Sequence, residues 1–407
     1  MSIIKKSVAI VLAALLLLSV VACVDGADEN ESEAQSESDF ESVSESGSEK
    51  ETSKKHETQK ETESETEKET LVMGEGKSID IYLIAGQSNA AGCTKITNFN
   101  AAYEWAPELK EGYSNIHYAG NSRNNSDAAV RDTDRPWQKT TLGLGIYLGN
   151  SNRYVGPEAG MAKALSVYYN EETGKEAGFI KYAYGGSSLF DDTAGSTAKD
   201  GNWVSPSYSR YLGKFNYGSS VTGQMYRNFL EQVERNLLEL YEYGGYTEIN
   251  IKGLYWMQGC ANKGNPREYK IAFEYFCTDI RADLSSLALR LTGGESDLGA
   301  ANVPIIVGTL SQTQNLTSAS TESVNIAFIE MQKKLPETIE NCYVVDNSQY
   351  PITRWNSTTN RAEIVGSDQW HWNQADALTI GENVGKLILD EILNTEVADA
   401  ESEATVE

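Results

Sequence analysis

The chain has 407 residues, a formal net charge of −25 and a sequence pI of about 4.6. Its length suits one large domain or two small ones. The excess of acidic charge argues against nucleic acid and against anionic membrane surfaces as partners.

The first 23 residues have the pattern of a secretory signal. Lys5 and Lys6 precede an apolar run from Val8 to Leu18 that is too short to span a bilayer comfortably. The following Val20-Val21-Ala22-Cys23 resembles a bacterial lipoprotein lipobox, which implies cleavage before Cys23 and lipidation of its thiol. The alternative is an ordinary signal peptide with a chance cysteine. In both cases we expect export, and with the lipid we expect the protein to be held at the outer face of the cell membrane by that anchor alone.

Two acidic segments flank the part of the chain that can fold. Residues 24–70 are almost wholly Glu, Ser, Thr and Lys and cannot form a core, so we predict a disordered spacer over residues 24–75. Residues 396–407 form a second acidic tail. The composition therefore predicts a single folded domain over residues 76–395.

Strand-like and helical segments alternate along that domain. The predicted strands are Ser78–Ala85, Gly178–Tyr184, Asn250–Met257, Val303–Leu310 and Cys342–Asp346. The predicted helices are Pro157–Asn170, Val221–Tyr243, one that opens at Asn265, and Gln374–Leu393. This alternation predicts a three-layer α/β/α sandwich with a central parallel sheet of about five strands. The polar stretch Thr94–Asn152 is predicted to be a long loop region that helps to build a site.

A serine stands where the first predicted strand ends, in Gly86-Gln87-Ser88-Asn89. Ligands of open α/β sheets bind beyond the carboxyl ends of the strands, so Ser88 is a candidate nucleophile, although a lone serine there is more often a turn or cap residue. A serine nucleophile needs a base, usually histidine. His56 lies in the predicted spacer and His117 in the predicted loop region, which leaves His371, with Asp368 three residues before it as a group that could orient the imidazole.

Groups that could stabilise an oxyanion follow the next two predicted strands. Gly185 and Gly186 come after the second strand, and their backbone N–H groups can approach a substrate closely. Gln258 follows the third strand and carries a side-chain NH₂. Each residue alone is better explained as a turn or a polar cap, but Ser88, Gly186, Gln258 and His371 together are placed at successive strand ends of one sheet.

Five motifs together resemble one hydrolase family, and they occur in its order over about residues 76–393. They are GQSN (86–89), GPE (156–158), KYAYGGSSL (181–189), WMQG (256–259) and DQWH (368–371). The set resembles the sialate O-acetylesterase-like and carbohydrate esterase family 6 branch of the SGNH hydrolases, which have a flavodoxin-like fold.

The resemblance implies a role for each motif residue. Ser88 would be the nucleophile, His371 the base and Asp368 the residue that orients it, while Ser88, Gly186 and Gln258 would form the oxyanion hole. Gln87, Asn89 and Trp370 are candidate substrate-binding residues beside them, and no metal or cofactor is implied. Because Ala90 stands where a GxSxG motif has glycine, a lipase-type α/β-hydrolase is disfavoured.

The sequence departs from the family pattern at two positions. The family usually has QGE followed by a small residue and Asp, whereas this chain has Cys260 and Asn262 at the two acidic positions. Cys93 lies five residues after Ser88, so a disulfide between Cys93 and Cys260 is one hypothesis, and two small buried residues are the other. No CxxC pair or His-rich cluster suggests zinc.

Three functions fit these residues. The first is a monomeric carbohydrate O-acetylesterase that removes acetyl groups from glycan hydroxyls through a Ser-His-Asp acyl-enzyme mechanism. The second is a catalytically impaired glycan-binding surface lipoprotein, and the third is a non-enzymatic adhesin. A sialic acid substrate would call for an Arg or Lys near the pocket, with Arg210 and Arg354 as candidates, and tryptophans could stack on sugar rings; these are Trp137, Trp203, Trp355, Trp370 and Trp372.

Overall fold

The computed structural model describes residues 77–120, 137–146, 153–190, 202–213, 217, 222–242, 244–318 and 320–393. The secretory signal, Cys23, the acidic spacer over residues 24–75 and the tail over residues 396–407 lie outside the described residues, so those assignments stay predictions.

A seven-stranded sheet forms the centre of the fold, in the order β4-β3-β6-β1-β7-β8-β9. Its strands are β1 (Ser78–Gly86), β3 (Tyr113–Gly120), β4 (Gln138–Thr140), β6 (Glu176–Ala183), β7 (Glu248–Met257), β8 (Ile305–Gly308) and β9 (Cys342–Val345). All neighbouring pairs are parallel except β3–β4. Two small antiparallel pairs lie outside this sheet, β2 (Thr94–Lys95) with β5 (Tyr154–Val155) and β10 (Thr353–Asn356) with β11 (Arg361–Ile364).

The five strands predicted from the sequence are all present, and they follow the flavodoxin-like order 2-1-3-4-5. The prediction of about five strands was too low, because β3 and β4 lie inside the stretch that we predicted to be a loop. The assignment of His117 to a loop was also wrong. His117 is a buried residue of β3, and its Nε2 lies 3.3 Å from the Glu176 carboxylate.

Helices flank the sheet on both faces. They are α1 (Ser88–Ala91), α2 (Phe99–Trp105), α3 (Pro157–Leu165), α4 (Pro206–Tyr211), α5 (Gln224–Glu242), α6 (Pro266–Leu291), α7 (Thr321–Lys333) and α8 (Gln374–Leu387), which continues as a π-helical turn over Ile388–Leu393. The first predicted helix is shorter than expected, and α7 was not predicted. None of the described helices has the length and apolar character needed to cross a membrane.

Alternate side chains of the buried strands point to opposite layers, as the two-residue period of a strand requires. On β6, Lys181 contacts Glu158 of α3, whereas the next residue, Tyr182, packs against Trp203 and Met225. A cluster of aromatic rings fills the second layer; it comprises Trp203, Phe229, Trp256, Tyr269, Phe273 and Phe276. In the first layer α3 and α8 touch through Gly160 and Gly381, where a methyl group would overlap the backbone of the other helix.

A fully buried ion pair joins the first helical layer to the sheet. The Lys181 ammonium lies 3.0 Å from Glu158 Oε2, and both side chains have an exposed fraction of 0%. Lys181 Nζ also donates to Ala91 O at 3.0 Å and to Leu144 O at 3.2 Å, while Glu158 Oε1 accepts from Gly156 N. Four separate segments of the chain therefore meet at this one pair of charges.

We expect Glu158→Gln to lower the free energy of unfolding by about 3–5 kcal/mol, because it leaves the Lys181 charge buried without a counter-charge. The double variant Glu158→Gln/Lys181→Met should lose less than the two single variants added together, since it buries no lone charge. Urea unfolding of the three variants measures both effects.

Lys386→Met is the matched control for this prediction, because it removes a partner of Glu382 from an ion pair whose lysine is 58% exposed. We expect that control to lose less than about 1 kcal/mol. A Glu158→Gln variant no less stable than the control would contradict the role given to the buried pair.

Candidate active site

The turn that carries Ser88 begins at the switch point of the sheet, where β1 lies between β6 and β7. Gly86 has a φ of 136°, and a side chain there would overlap the carbonyl group of Met257. The chain can therefore bend sharply out of β1 only with glycine at this position. Ser88 is half-buried and opens the short helix α1, so its N–H has no acceptor within that helix.

The residues on both sides of Ser88 bind protein groups. Gln87 is 2% exposed, and its Oε1 accepts from Gly259 N at 2.9 Å and from Ala261 N at 3.5 Å. Asn89 is 9% exposed and donates through Nδ2 to Trp370 O at 3.4 Å. We predicted that the side chains of Gln87 and Asn89 bind substrate. In the structure they instead form hydrogen bonds that connect the serine turn to neighbouring loops.

Asp368 and His371 are joined by a hydrogen bond between Asp368 Oδ2 and His371 Nδ1 at 2.7 Å. Asp368 Oδ1 accepts from the backbone N–H groups of Trp370 and His371. Burial raises the pKa of the Asp368 carboxyl, but the hydrogen bonds from His371 and from the two N–H groups outweigh it and hold that pKa below its ordinary value. The carboxylate is therefore charged at neutral pH and can fix the orientation of a buried imidazole.

The loop of His371 is hydrogen-bonded to three other segments of the chain, and one of them is the turn of Ser88. Trp370 O accepts from Asn89 Nδ2 and, at 2.8 Å, from Gln314 Nε2. At the other end of the loop, Lys95 N donates to Ser367 Oγ at 3.1 Å. The residue after Ser88 and the residue before His371 are thus in direct contact, although 281 positions separate them in the sequence.

The loop after β6 is held by its own side chains. Ser187 Oγ donates to Tyr184 O at 2.7 Å and accepts from Trp203 Nε1 at 2.8 Å. Gly186 lies between these contacts with a φ of 72°, a value that favours glycine. The predicted oxyanion-hole residue Gly186 is therefore part of a tightly fixed turn at the carboxyl end of the sheet.

Gln258 is fully buried, and both hydrogens of its amide are used by the protein. Its Nε2 donates to Asn262 Oδ1 at 2.7 Å and to Ser187 O at 3.2 Å. This arrangement differs from the predicted one, in which the Gln258 amide donates to the oxyanion. In the structure Gln258 instead supports the loop that contains Gly186.

The cysteines near the site are free thiols, so the hypothesis of a Cys93–Cys260 disulfide is wrong. Cys93 is buried and donates through Sγ to Ile146 O at 3.0 Å. Burial raises the pKa of Cys93 to about 12 and also raises that of Cys260. Neither thiol is therefore suited to act as a nucleophile at neutral pH.

Lys263 is a functional candidate that sequence reasoning missed, because a lysine in a polar loop gives no signal by itself. Its Nζ lies 5.8 Å from the centroid of the Trp370 ring and donates to Gln314 O at 3.1 Å. Burial lowers the pKa of Lys263, although the nearby Cys260 thiol opposes that shift. Within the described ranges, no carboxylate forms an ion pair with Lys263.

The remaining candidate residues are tryptophans and arginines, and the structure shows how deeply or where each one lies. Trp137, Trp203 and Trp372 are buried, whereas Trp355 and Trp370 are half-buried. Arg210 lies on α4 and donates to Ser207 Oγ, and Arg354 lies on β10. No group of three or more His, Cys, Asp and Glu residues in the described part of the chain is placed to hold a metal ion.

Two cavities, of about 290 and 680 Å³, are lined by residues near the amino-terminal ends of strands. The smaller is lined by Asn250 and Ile251 of β7, and the larger by Tyr113 and Ser114 of β3. They are therefore at the opposite end of the sheet from Ser88.

Comparison with known proteins identifies one family. The model of a family described as carbohydrate esterase, sialic acid-specific acetylesterase, matches residues 78–295. This range includes Ser88, Gly186 and Gln258 and ends before Asp368 and His371. No curated protein matches the sequence.

Several solved structures are similar to the chain at low sequence identity. A protein from Arabidopsis thaliana has 16% identity and a TM-score of 0.41, with 77% of this chain and 98% of that chain covered. NanS has 13% identity and a TM-score of 0.46, with 78% and 98% covered. A carbohydrate acetylesterase from Xanthomonas citri has 13% identity and a TM-score of 0.42, with 76% of this chain and 56% of that longer chain covered.

Proposed function

The chain belongs to the family of carbohydrate esterases described as sialic acid-specific acetylesterases, and from that premise we propose that it removes O-acetyl groups from a carbohydrate through an acetyl-serine intermediate. The observation that carries the proposal is the placement of the Asp368–His371 pair. The loop of that pair is hydrogen-bonded, through Trp370 and Asn89, to the turn that presents Ser88 at the switch point.

In the first half of the proposed reaction, Ser88 Oγ attacks the carbonyl carbon of the acetyl group, and His371 Nε2 takes the serine proton. Asp368 accepts the hydrogen bond from His371 Nδ1–H and stabilises the imidazolium that forms. Collapse of the tetrahedral intermediate breaks the bond to the sugar oxygen, and His371 returns the proton to that oxygen. The sugar leaves with a free hydroxyl group, and the acetyl group stays on Ser88.

In the second half, His371 takes a proton from water, and the water oxygen attacks the acetyl carbon. The bond to Ser88 Oγ then breaks, His371 returns the proton to the serine, and acetate leaves. The negative oxygen of both tetrahedral intermediates would accept hydrogen bonds from the backbone N–H groups of Ser88 and Gly186. Gln258 has its amide hydrogens on Ser187 and Asn262, so we give it a supporting part in this hole.

We further propose that the substrate sugar carries a carboxylate, as sialic acids do. Lys263 supports this, since it holds a positive charge beside the half-buried Trp370 ring and next to the loop of His371. Its ammonium binds a backbone carbonyl, Gln314 O, and has donor capacity left for an anion. The ring and the charge together suit a sugar that is apolar on one face and anionic at one edge.

The proposed activity predicts that Ser88→Ala lowers the rate of acetate release by a factor on the order of 10⁴–10⁶, because it removes the nucleophile. The measurement is acetate released from an O-acetylated sialic acid and from p-nitrophenyl acetate. Ser286→Ala, on the exposed side of α6, is the control and should keep the wild-type rate. Equal rates for Ser88→Ala and the control would contradict Ser88 as the nucleophile, and rates at the uncatalysed background for both would favour a binding protein that does not turn over its ligand.

The proposed substrate class predicts that Lys263→Met lowers kcat/KM for an O-acetylated sialic acid about tenfold to a hundredfold, since it removes a charged hydrogen bond to the carboxylate. The rate with p-nitrophenyl acetate, which has no carboxylate, should stay within about threefold of wild type. Lys110→Met, a change at an exposed lysine near the other end of the sheet, should alter neither rate. An equal loss on both substrates, or none on either, would contradict a carboxylate-binding part for Lys263.

A further inference from the structure

The side chain of Asn262 is buried at the carboxyl end of the sheet and makes three hydrogen bonds to protein groups. It is 3% exposed. Its Oδ1 accepts from Leu189 N at 2.9 Å and from Gln258 Nε2 at 2.7 Å, and its Nδ2 donates to Ser188 Oγ at 2.8 Å. We propose that Asn262 is a positioning residue that fixes the Gly186 loop for oxyanion binding, an inference that rests on the proposed function.

The orientation of the Asn262 amide follows from its partners. Leu189 N can only donate, so the Asn262 atom that faces it must be the oxygen. The same oxygen accepts from the Gln258 amide, which must then present its nitrogen to Asn262, in agreement with its second bond to Ser187 O. These hydrogen bonds therefore assign the oxygen and the nitrogen of both buried amides without conflict.

This arrangement fixes the loop after β6 along its length. Asn262 binds the loop directly at Ser188 and Leu189, and it holds Gln258 in place to bind the carbonyl group of Ser187. Gly186 precedes these three consecutive points of attachment. An oxyanion donor must be placed within about 0.5 Å of its productive position, so movement of the Ser187 peptide would displace the Gly186 N–H from the reacting oxygen.

An aspartate at position 262 would fit the same partners. One carboxylate oxygen would accept from Leu189 N and Gln258 Nε2, as Oδ1 of the asparagine does. Ser188 Oγ already accepts from Phe190 N, so its hydroxyl hydrogen can turn and donate to the second oxygen. Leucine has nearly the same shape but accepts nothing, and it would leave the Leu189 N–H and one amide hydrogen of Gln258 buried without partners.

The proposal therefore predicts different results for two substitutions at one position. Asn262→Leu should lower kcat for p-nitrophenyl acetate about tenfold to a thousandfold with KM changed less than about threefold, because the oxyanion forms only after binding. Asn262→Asp should keep kcat within about threefold of wild type. Ser188→Ala removes one of the three bonds of Asn262 together with the bond from Phe190 N, so it should fold and lower kcat about twofold to tenfold.

Asn236→Leu is the matched control, because it replaces an equally buried asparagine whose amide binds Gln232 O within α5. If Asn262 had only a structural role, both leucine variants would have a lower melting temperature, and kcat of the folded protein would be unchanged in both. That outcome, or loss of activity in a folded Asn262→Asp variant, would overturn the proposal. Absence of Ser88-dependent acetate release from the wild-type protein would instead remove the proposed function and, with it, this inference.

Discussion

The buried ion pair of Lys181 and Glu158 is the interaction on which the rest of the site depends. Two charges without solvent contact are stable only when each is paired and hydrogen-bonded, and here Lys181 also binds Ala91 O at the end of the helix that Ser88 opens. The pair belongs to two of the sequence motifs, GPE and KYAYGGSSL. These motifs thus contribute to holding the serine turn against β6 and α3.

Buried side-chain amides connect the loops at the carboxyl edge of the sheet to one another. Gln87 binds the loop after β7, Gln258 and Asn262 bind the loop after β6, and Gln314 binds the loop of His371. An amide can donate and accept at once, so each of these side chains can satisfy backbone groups of a neighbouring loop without burying a charge. The loops at the carboxyl edge of the sheet are in this way fixed relative to one another before a substrate arrives.

Local patterns made the fold and part of the site predictable. Apolar runs identified five of the strands, and the three-residue spacing of Asp368 and His371 predicted their hydrogen bond. The strand with the sequence YSNIHYAG was missed, because its polar and aromatic residues resemble a loop until Glu176 and neighbouring strands satisfy them. The bond from Gln258 to Ser187 spans 71 positions and the bond from Lys263 to Gln314 spans 51, so no local spacing could reveal them.

The central claim is that Ser88 is the nucleophile, and covalent labelling tests it most directly. Diisopropyl fluorophosphate reacts with an activated serine, whose oxygen bonds to phosphorus as fluoride leaves, and the adduct is stable enough for peptide mapping by mass spectrometry. The account predicts one adduct on the peptide that contains Ser88, and no adduct when the protein is denatured first, because the reactivity depends on the folded Asp368–His371 pair. An unlabelled Ser88 peptide in the folded protein, or an adduct on a different serine, would contradict it.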